Sequence, residues 1–291
     1  MAISIDFIPV DADLAPWALG VSILRADGVE PAQFSVPAHT LAISTVVLRG
    51  ELWSVDRQGQ RCQMPMRYAT GSATHAQGFE ASPDAVCASL MCVASVLPLL
   101  TGLGAEHFVN TFAAPDLLGK AADLTPALSN QAMASDLMEG LRHRLKNVRP
   151  TPGAFAFLAT LQQWDGCSLV PSGWHARRWQ RAYQHQLGVM PNLLQRLVRL
   201  HQSAQLGIAN PARIPKAAQA DWAEHALDAG YSDQSHMLRD YRDLAGITPA
   251  RAAGGGQKAG LHALHIGANA LVPRLLPGVG AVSDLSNTPE R

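Results

Sequence analysis

The chain has 291 residues, 47% hydrophobic and 16% charged, enough for one or two folded units with a sizeable core. Its formal net charge is zero, which excludes a globally polybasic binder and leaves a local basic face as the route to a polyanion. The longest uncharged apolar run, residues 85–100, is shorter than the ~20 residues a membrane helix needs and contains Pro98, so no membrane span is expected.

Residues 17–24, 41–48, 66–70 and 85–93 read as short strands, rich in β-branched or apolar side chains though imperfectly alternating. Turns containing Gly or Pro separate them, at residues 28–31, 36–37, 57–60 and 82–84. Residues 97–104 suit a short helix with Pro98 in its first turn. Residues 1–115 are thus expected to form a β-rich domain with one or two helices. His39, His75 and His107 are scattered, with no HxH pair and no carboxylate at ligand spacing. Ser44, Thr45 and Ser54 lack a nucleophile-elbow context. Trp17, Trp53, Tyr68 and Phe79 either line an apolar pocket or fill the core, the commoner use of such residues. Cys62, Cys87, Cys92 and Cys167 show no metal-ligand spacing. With no secretory leader at the start of the chain, they read as reduced, mostly buried thiols in a cytoplasmic protein. No metal or cofactor is implied.

Residues 116–150 form a helical connector. Leu117, Leu118, Ala121, Leu124 and Leu128, then Leu137, Met138, Leu141 and Leu145, follow helical spacing with a break near Pro126. The second helix, residues 136–148, ends in Arg142, His143, Arg144 and Lys146, cations suited to a helix C-terminus or to a phosphate. Its leucine face suits either its own domain or a second subunit. Arg149-Pro150-Thr151-Pro152-Gly153 marks the clearest boundary.

Beyond it, residues 154–164 read as helix with Phe155, Leu158, Leu161 and Gln162 suggesting one buried face, and residues 175–187 as another. In the latter Trp179, Tyr183 and Leu187 recur at four-residue steps as a buried stripe, leaving Arg177, Arg178 and Arg181 for solvent or DNA. Residues 191–206 form a longer helix with Leu194, Leu197, Val198 and His201 inward and Arg196 and Arg199 outward, followed by a loop over 208–215. Residues 217–227 make a short helix with Trp222, Ala223, Ala226 and Leu227 inward. Gly230-Tyr231-Ser232 then turns the chain, with Ser232 as N-cap. In the next helix Met237, Tyr241 and Leu244 share the inward arc, with Leu238 at its margin. Ser235, Arg239 and Arg242 share a second arc, and Asp233, Asp240 and Asp243 a third, before Gly246 and Pro249 end the helix.

Two short helices joined through Gly-Tyr-Ser are what a helix-turn-helix needs, and an ordinary helical hairpin has the same spacing. The run Gly230-Tyr231-Ser232-Asp233-Gln234-Ser235-His236 to Gly246-Ile247-Thr248-Pro249 resembles the second helix-turn-helix of AraC/XylS-type transcription regulators. The run Arg177-Arg178-Trp179-Gln180-Arg181-Ala182-Tyr183, with Leu187-Gly188-Val189-Met190-Pro191 and Arg199, is similar to part of that family's first. The resemblance covers residues 151–252 and is the more specific in its second half. Where family members have a positioning helix, residues 165–173 are about five short and carry Gly166, Pro171 and Gly173.

The resemblance implies an α+β chain: a β-rich N-terminal domain for effector binding or dimer formation, the connector, an all-α double helix-turn-helix domain over 151–253, and a flexible tail over 254–291. It implies a sequence-specific regulator that binds promoter DNA and contacts RNA polymerase as a homodimer, performing no chemistry. Arg177, Arg178, Arg181, Ser232, Gln234, Ser235, Arg239 and Arg242 are its candidate DNA contacts. Gln234 suits adenine, Arg239 suits guanine or a phosphate, and Arg242 suits the backbone. Asp233 either accepts from cytosine or complements the helix dipole, and His236 bonds either DNA or the fold. Two other functions compete: an interaction or anti-regulator module with the same fold, and a small-molecule enzyme on the N-terminal domain, for which no catalytic constellation is visible.

Overall fold

The computed structural model describes residues 2–112, 124–146, 148–149, 151–163, 170–171, 173–209 and 222–253. The first of these stretches builds two antiparallel sheets. The larger has the order β1 (Ala2–Pro9), β2 (Ala18–Asp27), β9 (Val86–Val93), β4 (Leu41–Arg49), β7 (Arg67–Thr70). The smaller has the order β3 (Ala32–Val36), β8 (Gln77–Ala81), β5 (Leu52–Val55), β6 (Arg61–Gln63). The four strands expected from the sequence are β2, β4, β7 and β9, all in the larger sheet; the small sheet and β1 are additions.

The imperfect alternation of those strands has a physical cause, because the larger sheet is buried on both faces. Along β9, Ala88, Leu90 and Cys92 face one core while Cys87, Ser89 and Met91 face the space between the sheets. Ala42 and Val46 of β4, and Val21 and Ile23 of β2, join the first set. That outer face is covered by α2 (Asn130–Leu145) through Met133, Ala134, Leu137, Met138 and Leu141. The connector's leucine face is therefore satisfied within its own unit. The helix starts at Asn130, six residues earlier than expected, because Ser129 caps it by accepting from Ala132 N–H at 3.2 Å. Its basic end is not offered to a phosphate at Arg142, which pairs with Asp13 at 2.7 Å and also with Asp11. These two carboxylates hold the guanidinium in its charged form, and Arg142 in turn keeps the Asp13 carboxyl below the usual range. Leu117, Leu118 and Ala121 lie outside the described residues. Pro98 does sit in the first turn of α1 (Val96–Thr101), which a 3-10 turn (Ala105–Phe108) follows.

The regular elements described after Phe112 are all helical. After α2 come α3 (Pro152–Gln163), α4 (Ala176–Leu187), α5 (Pro191–Ala209), α6 (Ala223–Asp228), α7 (Gln234–Asp240) and α8 (Pro249–Ala253). One continuous core gathers Phe157, Trp179, Tyr183, Leu194, Tyr241 and Leu244, and it reaches Leu19, Ala38, Leu41 and Ala94 of the β unit. The long helix runs on to Ala209, past the expected start of the loop at residue 208; residues 210–221 and the tail lie outside the described residues.

Among the described residues no helix is long and apolar enough to cross a membrane, and no three His, Cys, Asp or Glu side chains group as metal ligands. Cys87 and Cys92 are buried and their thiols are pushed up to about 12 by desolvation, whereas Cys62 is exposed. Cys167 lies outside the described residues.

Candidate nucleic-acid interface

The apolar face of α4 determines where its cations go. Trp179, Tyr183 and Leu187 are buried, and the Trp179 ring lies 5.2 Å from both Phe157 of α3 and Trp174. Arg177, Arg178 and Arg181 are left exposed on a helix with no acidic residue. Arg178 lies over the Trp174 ring at 5.4 Å, and Arg181 Nε donates to the Arg177 carbonyl at 3.4 Å. The side chains of Phe155, Leu158, Leu161 and Gln162, and the residues 164–169, lie outside what is described.

The second pair of helices is α6 and α7. Gly230 takes φ 78°, and Tyr231 N–H donates back to the Ala226 carbonyl at 2.9 Å, closing a tight turn with the Tyr231 ring buried. The N-cap of α7 is Asp233 and not Ser232. The Asp233 carboxylate accepts from His236 N–H at 2.7 Å, a bond that holds its carboxyl below the usual range. Ser232 instead bonds Asp233 at 3.0 Å and the His236 ring at 3.1 Å, so Ser232, Asp233 and His236 are occupied within the turn. Gln234 is half-buried at the first helical position. Ser235, Arg239 and Arg242 are exposed.

After Asp240 the helix widens into a π turn (Tyr241–Ala245) that ends on Gly246 at φ 70°. Met237, Tyr241 and Leu244 point inward, as their spacing requires. Ser203 of α5 ties this face down, bonding Tyr241 at 3.0 Å and His225 at 2.9 Å; burial lowers the His225 pKa. Two inward–outward expectations fail. Leu227 is 62% exposed, because α6 starts only at Ala223 and is too short to carry it into the core. Asp240, placed on an outer arc by periodicity, is buried beneath Arg196 of α5, whose guanidinium contacts it at 2.8 Å and Asp243 at 3.3 Å. Arg196 is thus a bolt between α5 and α7, and Arg199 covers the Tyr231 ring at 5.6 Å. The His201 side chain is outside what is described.

Among the described residues, then, Arg177, Arg178, Arg181, Arg239 and Arg242 are exposed without a carboxylate partner, while Arg196 is consumed internally. The C-terminal ends of both helical runs are held by the β unit. Ser72 donates to the Leu187 carbonyl at 2.5 Å, Ala76 N–H to Asp243 at 3.0 Å, and Ala38 N–H to Leu244 at 2.7 Å. These donors are neighbours, since His39 and Ala73 exchange backbone bonds at 2.9 Å.

Of the four aromatic residues considered in the β unit, Tyr68 and Phe79 line a cavity of ≈ 120 Å³ between the sheets. Trp17 packs on the core under α2, and Trp53 lies beneath Arg61 at 4.5 Å. Phe34 and Phe112, not singled out by sequence, also line the cavity, as does His39. Desolvation pushes the His39 ring down to about 4, so it is neutral at pH 7.

No family model and no curated protein matches the chain. Among solved structures, ToxT from Vibrio cholerae aligns over 80% of this chain and 97% of its own, with 10% identity and a TM-score of 0.37. Two further likenesses each cover about a third of this chain. KdgF from Halomonas sp. covers 31% of this chain and 78% of its own, with 11% identity and a TM-score of 0.24. A cupin superfamily protein from Desulfitobacterium hafniense covers 32% and 77%, with 10% identity and a TM-score of 0.24. At these scores none of the likenesses assigns a function to this chain.

Proposed function

We propose that the chain is a sequence-specific DNA-binding regulator that presents α4 and α7 to promoter DNA and performs no chemistry. The observation carrying this reading is the set of five exposed arginines, without a carboxylate partner among the described residues, on α4, α7 and the π turn that continues α7, whose opposite faces enter one core. Phosphate neutralisation needs such local cations and not net charge. Ser235 and Arg239 stand on the exposed face of α7 for base edges, with Gln234 half-buried at its start. Arg177, Arg178, Arg181 and Arg242 supply backbone contacts, and Ser232 acts through the turn. The modest number of cations fits an active homodimer, whose second copy multiplies a weak single contact. Contact with RNA polymerase and a small-molecule effector held by the β unit complete the proposal.

Selection of bound sequences from random duplex DNA with the full chain tests it. Two half-sites about one helical turn apart are expected. Arg239→Ala should relax preference at one position by about 1–3 kcal/mol. Each of Arg178→Ala and Arg181→Ala should reduce the slope of log affinity against log salt by about 0.9. No enrichment even at low salt would refute the reading and transfer these faces to a protein-interaction role.

A further inference from the structure

A second cavity, of ≈ 140 Å³, lies where α1, the junction between α2 and α3, and the last turn of α4 meet. A single water needs about 10–15 Å³ of such space, so a polyatomic group fits. Its wall on α1 follows from helical spacing. Val96, Leu97 and Leu100 turn into the core under α2, which leaves Ser95, Pro98 and Leu99, at i, i+3 and i+4, as one face on the cavity. Ser95 is 3% exposed, and its Oγ is buried with no partner among the described residues. It occupies the N-cap of α1 yet makes no capping bond, so its own helix does not account for the hydroxyl. A buried hydroxyl without a bond is costly, and a ligand in the cavity would satisfy it.

The groups around that hydroxyl are donors, and their charge is positive. The junction contributes Arg149, which is exposed, and Thr151. Thr151 Oγ1 accepts from Ala154 N–H at 3.2 Å at the start of α3 and keeps its own proton to donate. Thr151 and Ala154 place the cavity at the N-terminus of a 12-residue helix, whose first amides have no carbonyl within the helix to bond. From α4 come His185 and the amide of Gln186, a residue only 8% exposed. Among the described residues no Asp or Glu lines the cavity; the Glu106 carboxylate, 3.9 Å from His185 Nδ1, stays outside the lining.

This donor set selects the anion. The donors belong to three elements, a spread that suits a tetrahedral oxyanion better than a planar carboxylate, and phosphate brings more charge and more strong acceptors. Burial selects the source. An anion reaches Ser95 and Gln186 only by entering the cavity, which a free or terminal phosphate can do and a phosphate linked to sugars on both sides of a duplex strand cannot.

We propose that this cavity binds inorganic phosphate or the terminal phosphate of a small ester. Arg149 and the N-terminus of α3 supply the charge, and Ser95, Thr151 and Gln186 the hydrogen bonds. The bound anion fastens α1, the α2–α3 junction and α4 to one another, and it stabilises the fold by mass action. The site is independent of the DNA-binding reading.

The test is titration calorimetry of the full chain with inorganic phosphate, methyl phosphate and acetate at fixed pH and ionic strength, with urea unfolding in parallel. Saturable one-site binding of phosphate, at least about tenfold tighter than acetate, is expected. Ser95→Ala should weaken it about tenfold, the worth of one hydrogen bond to a charged group, and Arg149→Met at least as much. Without phosphate, Ser95→Ala should unfold at no lower urea concentration than the parent chain, because the hydroxyl it removes is unbonded. Methyl phosphate binding more tightly than phosphate assigns the site to an ester, and equal or weaker binding assigns it to the free ion. No saturable binding, acetate as tight as phosphate, or unchanged affinity in Ser95→Ala would overturn the site. Competitive displacement of phosphate by duplex DNA would overturn its assignment to a small molecule. If the chain binds no DNA at all, the DNA-binding reading fails while calorimetry still decides this proposal.

Discussion

Gly188 and Gly102 form a matched pair from which the energy of the seam between the β unit and the helices can be read. Both end a helix in the left-handed region, at φ 78° and 73°, and both donate to the carbonyl four residues back, at 2.7 and 3.0 Å. A side chain on either costs about 1 kcal/mol for the backbone conformation alone. Their surroundings differ. A Cβ on Gly102 would meet nothing within 4 Å, whereas one on Gly188 would lie 2.7 Å from the Ala105 carbonyl oxygen and 2.7 Å from Val109 Cγ2. A carbonyl oxygen of the backbone cannot swing aside like a flexible side chain, so the seam must open, at a further cost of about 1–3 kcal/mol. Gly102→Ala should therefore cost about 1 kcal/mol and Gly188→Ala about 2–4 kcal/mol. Urea unfolding of the full chain, followed by tryptophan fluorescence with linear extrapolation, measures both. Equal costs for the two variants would show that α4 is not seated on Ala105 in solution, and the account of the helix anchors would fall with it.

The bolt between α5 and α7 is open to a double-mutant cycle: Arg196→Met leaves the buried Asp240 carboxylate without its cation. It should cost about 2–4 kcal/mol, the lower part of the range for breaking buried pairs because Arg196 retains 31% side-chain exposure. Adding Asp240→Asn should recover part of that loss, and additive single effects would argue against the pair. The carboxyl of Asp233 has its folded pKa lowered by the His236 N–H, so its stabilising effect is complete above the unfolded value near 3.8 and is lost as pH falls through the lower folded value. Asp233→Asn should flatten that acid limb in pH-dependent unfolding, and Ser232→Ala, which removes a second donor to the carboxylate, should weaken it only in part. His39 acts in a different window. Its ring is neutral in the fold down to about pH 4 but takes a proton near 6.5 when unfolded, so stability rises with pH between these values. The swing is of order 2 kcal/mol and should vanish in His39→Gln, as measured by unfolding at pH 4.5 and 7.

Much of the helical region is legible in the sequence because its determinants are local. The four-residue steps of Trp179, Tyr183 and Leu187 and the spacing of Met237, Tyr241 and Leu244 identify buried faces. Given those faces, the exposure of Arg177, Arg178, Arg181, Arg239 and Arg242 is the expected complement. The N-cap lies one residue beyond its expected place because Ser232 and Asp233 are both good caps, and only the geometry of the turn selects the carboxylate. In the β unit the strands buried on both faces announce themselves as apolar runs. The small sheet does not, since β3, β5 and β8 are 4–5 residues long and carry polar side chains.

What the sequence determined by itself is periodicity, the turn at Gly230 and the supply of exposed cations, all set by neighbours along the chain. The tertiary structure alone decided that Asp240 is buried, since Arg196 reaches it from another helix. It alone decided that Phe34, Tyr68, Phe79 and Phe112 enclose a cavity, and that Ser72 grips Leu187 across 115 positions of sequence. Such features depend on which surfaces meet, and a local pattern specifies that a face is apolar or charged without specifying what will lie against it.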